Sequence, residues 1–105
     1  MTAFSHQLAE LSGLTGARLA DESALSAVVI AAAGALGLPA HGPPVVRSGP
    51  RGVALGLLCH GGHIVLHTVP DEGLCLVDIV ATLPVDPAKG VAVIARRLGA
   101  DLASR

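Results

Sequence analysis

Between Val53 and Val80 three short apolar segments are separated by only two turn signals, Gly61-Gly62 and Pro70-Asp71-Glu72-Gly73. Segments of this length bury their apolar side by pairing with one another, which predicts an antiparallel meander of three strands. The flanks supply a second layer. Asp21 is a candidate N-cap, Leu25, Val28, Val29, Ala32 and Leu36 recur at helical spacing, and Gly37 with Pro39 marks the stop. A second helix starts at Asp86-Pro87, an N-cap followed by proline at the first helical position, with Val91, Ile94, Ala95, Leu98 and Leu102 on one stripe. Phe4 to Leu11 reads as an opening strand and Ser12 to Gly16 as a turn-rich link. Val45-Val46 reads as a short edge strand after the proline-rich His41-Gly42-Pro43-Pro44. This order predicts one α+β domain over residues 1–105, a two-layer sandwich whose antiparallel sheet carries two helices on one face.

At 105 residues a single core is possible but not a large one, so help from an oligomer is expected. Hydrophobic residues make up 51% of the chain and charged residues 14%, a balance that favours burial of a sheet face in a homodimer. Seven Lys+Arg and eight Asp+Glu are scattered along the sequence, leaving no basic stripe for phosphates, and nucleic acid is not an expected partner. The apolar run from Ala24 to Ala40 follows Asp21 and Glu22 and falls short of the roughly 20 residues that span a bilayer, so it reads as a buried helix rather than a membrane segment. No basic segment leads into an apolar core near Met1, and a cytoplasmic location is expected. Cys59 and Cys75 form no CxxC pair and read as reduced core residues.

A two-residue turn at Gly61-Gly62 sets His60 opposite His63, Leu58 opposite Val65 and Gly56 opposite His67, all on one face. Leu55, Leu57, Cys59, Ile64 and Leu66 take the other face, the natural seat for the helices. With Pro70 to Gly73 as the next loop, Leu76 faces His67, Asp78 faces Val65 and Val80 faces His63. Asp78 then lies diagonally between His63 and His67, within reach to orient an imidazole. The cluster has two readings: a His-Asp acid/base pair in a sheet-face pocket, and a satisfied polar patch at a subunit contact. A metal site from His60, His63 and His67 is not expected, because the spacing matches no established zinc motif and a carboxylate would have to come from elsewhere.

The succession His63-Ile64-Val65-Leu66-His67-Thr68, Pro70-Asp71, Val77-Asp78-Ile79 and Val85-Asp86-Pro87 resembles the bacterial pyruvoyl-dependent S-adenosylmethionine decarboxylases, and His6-Gln7-Leu8-Ala9-Glu10-Leu11 resembles their opening strand. The resemblance implies a two-layer sandwich that dimerises sheet to sheet, with active sites near the interface. In that family a serine precedes the first histidine of the block; it attacks the preceding carbonyl, and the resulting ester eliminates to leave a pyruvoyl group that serves as electron sink. Gly62 stands there in this chain. Glycine has neither a hydroxyl to attack with nor a β-carbon to eliminate from, so no pyruvoyl cofactor is expected. Thr82 stands where the family has its catalytic cysteine, Val69 where it has a tryptophan, Gly61 and Asp71 where it has glutamates. His67 matches the processing and catalytic histidine, and Asp78 matches the strand aspartate.

The expected function is that of a homodimeric enzyme repurposed for a small molecule by acid/base chemistry. Its catalytic residues are His67, Asp78 and His63, with His60, Thr82 and Asp71 binding substrate. The alternative is a non-catalytic partner or regulator of an intact paralogous decarboxylase. A third reading, pyruvoyl-dependent decarboxylation of another amino acid, needs cleavage away from residue 62, and the nearest serine, Ser48, precedes the wrong strand.

Overall fold

The computed structural model describes residues 3–100. Five strands, β1 (Phe4–Leu11), β2 (Val45–Gly49), β3 (Gly52–Cys59), β4 (Gly62–Val69) and β5 (Leu74–Thr82), form one sheet in the order β1-β5-β4-β3-β2. Every neighbouring pair is antiparallel. Helices α2 (Glu22–Leu36) and α3 (Pro87–Leu98) cover one face, α2 over β2 to β4 and α3 over β1 and β5. A four-residue helix α1 (Gly16–Leu19) and a 3-10 turn over Pro70–Glu72, neither visible in the sequence pattern, pack against each other. Leu102, expected on the last helix, lies outside the described residues.

Local signals fix the long helices. Asp21 caps α2 by accepting from the Ala24 N–H at 3.1 Å, and Gly37 closes it in the left-handed conformation. Asp86 caps α3 by accepting from the Ala88 N–H at 3.0 Å, with Pro87 at the first turn where its missing N–H costs nothing. Strand alternation fixes the layers. Val53, Leu55, Leu57, Cys59, Ile64, Leu66, Cys75, Val77, Ile79 and Ala81 are buried beneath the helices together with Leu25, Val29, Ile94 and Leu98.

Thr68 is the polar exception in this core. Its hydroxyl donates to the Leu19 carbonyl at 2.7 Å and accepts from the Val53 N–H at 3.0 Å, tying β4 to the end of α1 and the start of β3. Gly52 makes this crossing possible: a β-carbon there would lie 1.9 Å from the Thr68 carbonyl oxygen, and its φ of +153° is one that side chains rarely adopt. Thr68 therefore holds the architecture, and its place in the His-Thr-x-Pro block is structural.

The two cysteines are free and buried, as core residues. Burial raises both thiols, that of Cys75 to about 12 from an ordinary 9.0. Since the thiolate is the nucleophile, Cys75 should resist a thiol reagent at pH 8 in the native protein and react in urea. Fast native labelling at Cys75 would contradict this burial. Thr68→Val, which keeps the shape but strands a buried carbonyl and a buried N–H, should cost about 1–3 kcal/mol in urea unfolding. Thr68→Ser should recover most of it.

Candidate active site

Among the described residues none covers the face of the sheet away from the helices. Along β1 it presents Phe4, His6, Leu8 and Glu10; along β5, Leu76, Asp78, Val80 and Thr82; along β4, His63, Val65 and His67. The β4–β5 register agrees with the sequence reading: His63 pairs with Val80, Val65 with Asp78 and His67 with Leu76.

The β3–β4 register does not. His63 faces Leu58, Val65 faces Gly56 and His67 faces Ala54, because the two-residue loop is His60-Gly61 and Gly62 is already in the ladder, paired with Cys59. The tip is held from outside the hairpin. The His60 N–H donates to the Pro39 carbonyl at 2.8 Å, the Thr82 N–H donates to the Gly61 carbonyl at 2.8 Å, and Ala40 bridges Cys59. A shift of two residues preserves the faces but removes His60 from His63. The His60 ring instead stacks on His41, centroids 3.9 Å apart and planes inclined by 27°. Among the described residues no three His, Cys, Asp or Glu side chains form a group suited to a metal ion.

Asp78 has a partner the meander alone does not supply. Its Oδ1 lies 2.6 Å from Nε2 of His6, which reaches across from β1. The sequence reading aims Asp78 at His63 or His67, whereas the bond it makes is to His6, which β1–β5 pairing sets two residues away, opposite Val80. The pair is 56% and 35% exposed, open to a ligand or partner. The alternation of Phe4, His6, Leu8 and Glu10 on one side of β1 is the sequence signal for His6, readable once β1 is placed beside β5.

The remaining candidates divide between the two ends of the face. At one end Gly61, Gly62 and His63 surround a depression of about 470 Å³ with Phe4 and Val80, and Thr82 adjoins Gly61. At the other end His67 lines a groove of about 530 Å³ with Arg47, Arg51 and Glu72, and Asp71 is exposed on the neighbouring 3-10 turn. Five residues of extended chain separate Gly62 from His67, roughly 16 Å. Within one chain the two positions do not meet.

Gly62 also lacks room for a side chain. A β-carbon there would lie 2.2 Å from the Val80 carbonyl oxygen and 3.1 Å from the Ala81 Cα, both backbone atoms of β5. A side chain at residue 62 is therefore admitted only if β4 or β5 moves. Gly62→Ser should lower the thermal midpoint, because β4 or β5 must shift to admit the β-carbon, and the variant should still run as one uncleaved chain. A Gly62→Ser protein of undiminished stability would show that the strands close up there without constraint.

A sequence profile of the S-adenosylmethionine decarboxylase family matches residues 5–104. Among solved structures, the adenosylmethionine decarboxylase from Aquifex aeolicus VF5 is similar with a TM-score of 0.83 at 20% identity, over 95% of this chain and 83% of that one. No curated protein gives a significant match.

Proposed function

The chain belongs to the S-adenosylmethionine decarboxylase family, and within it we propose an unprocessed homodimer repurposed for acid/base chemistry on a small molecule. The division of the site carries this reading. A second copy laid face to face with its strands reversed brings its His67 end over the Gly62 end of the first, and symmetry makes two such sites. The uncovered face is suited to the contact. Phe4, Leu8 and Leu58 are 64%, 56% and 62% exposed there, and Val45 and Leu76 extend the apolar surface across the sheet.

In the assembled site His67 of one copy and His63 of the other serve as base and acid, and the Thr82 hydroxyl holds a substrate oxygen. The His6–Asp78 pair lies between the two ends, where a carboxylate beside imidazole fixes the tautomer and supports a positive charge during proton transfer. Proton transfer, isomerisation or elimination suits such a set; no step needs an electron sink. His60, stacked on His41, is set aside from it, and Asp71 stands at the rim. The described helices include none long and apolar enough to cross a membrane.

The same face supports a second reading, pairing with an intact paralogous decarboxylase as a regulator. Co-expression separates the two, since a mixed dimer in preference to the homodimer belongs only to the regulatory role.

Two measurements test the main proposal. Denatured intact mass before and after a carbonyl-trapping hydrazine should give a single unreactive chain near 10.4 kDa, and two fragments, one of them reactive, would overturn it. Sedimentation should give a dimer that Leu58→Asp converts to a folded monomer, because the change buries a charge only when the sheet faces meet. With a substrate in hand, His67→Ala should abolish turnover and leave the unfolding midpoint close to wild type.

A further inference from the structure

The groove at the His67 end is lined by two arginines and a histidine, with Glu72 the one carboxylate among its lining residues. Arg47 on β2 and His67 on β4 flank Ala54 of β3 on the uncovered face, and Arg51 joins them from the Pro50-Arg51 turn. Among the described residues His6–Asp78 is the one salt bridge, so neither arginine is paired with a carboxylate, including Glu72 in the same groove. The other described cations, Arg18, Lys89, Arg96 and Arg97, belong to the helical layer. In a chain with only seven Lys+Arg, two of them converge with an imidazole on one concavity.

The site is also built. The turn that presents Arg51 is closed by pairing of Gly49 with Gly52, and Gly52 presses against the Thr68 carbonyl so closely that no other residue fits. The Thr68 hydroxyl fixes Val53 directly behind it. Arg47 donates one N–H to its neighbour's carbonyl, that of Val46, at 2.8 Å, leaving most of the guanidinium's five donors for a ligand. Two guanidinium forks and an imidazole on a rigid floor match an oxyanion, which accepts several N–H bonds at once.

The geometry points to an anion site formed by Arg47, Arg51 and His67, which takes the carboxylate or phosphate group of a small acidic substrate. The inference rests on the preceding reading in taking His67 as a substrate-facing residue, and it names the class of substrate.

Anion binding is read without turnover. Imidazole and arginine side-chain NMR signals are followed while inorganic phosphate and, separately, malonate are titrated into the full-length protein at constant ionic strength in chloride. At least one should give saturable shifts at His67, and the tighter of the two identifies phosphate ester or carboxylic acid. Arg51→Gln and Arg47→Gln should each weaken binding about tenfold, the loss of one charged hydrogen-bonding group. Lys89→Gln on α3 should leave it unchanged, and Glu72→Gln should tighten it. Non-saturable shifts with both anions, or equal effects of Arg51→Gln and Lys89→Gln, would overturn the site. Such a failure leaves the homodimer and its acid/base chemistry standing, because those are read by sedimentation and by His67→Ala. A monomeric protein that still binds anions would sink the composite site and keep this one.

Discussion

The crossing of β3 over the end of β4 is the contact on which the rest of the molecule depends. A threonine hydroxyl in the core has to satisfy a donor and an acceptor from two other elements, and a glycine has to let two backbones approach to a distance no side chain tolerates. Breaking either exposes unpaired backbone groups beneath α1, where water does not reach them cheaply. The consequence reaches the open face. The constraint that holds Thr68 inward turns its neighbour His67 outward, and the same Gly52 that permits the crossing places Arg51 beside it. The groove is thus a by-product of core architecture, which gives its floor a rigidity that surface arginines alone lack.

The uncovered face follows from the composition. Among the described residues two long helices, α2 and α3, meet a five-stranded sheet, enough to cover one side. The other side keeps Phe4, Leu8, Leu58 and Leu76 in water unless another surface covers them, while the polar groups between them, His6, His63, His67 and Asp78, can be covered only if each finds a partner. This combination is poor design for a free surface. It suits a contact with an enclosed polar site, and it is why oligomer and site enter the proposed function together.

What was legible in the sequence was whatever local chemistry decides. Asp21 and Asp86-Pro87 announce helix starts because a cap acts within three residues, and the β4–β5 register was readable because Pro70 to Gly73 leave one loop between two alternating strands. The tip of the preceding hairpin lies one residue earlier than the local signal places it, which shifts the register by two, since its position is set by Pro39, Ala40 and Thr82, all outside the hairpin. The helix at Gly16–Leu19 is too short to show a period and is held by the Thr68 hydroxyl. His6 escaped for the same reason: its partner Asp78 is 72 residues away, and only the pairing of the first strand with the last brings them together. Local signals gave the elements; non-local pairing decided which side chains meet.

At Gly62 the backbones of β4 and β5 approach too closely for a side chain. β5 lies against Gly62, Gly61 turns beneath Thr82, and the Thr82 N–H donates to the Gly61 carbonyl, so the tip leaves no space for a β-carbon. In the proposed dimer this tip forms one wall of the site and the groove lined by Arg47, Arg51 and His67 forms the other, so that the acid group of the ligand anchors at the His67 end of one copy and the reacting atoms lie toward His63 and Thr82 of the other.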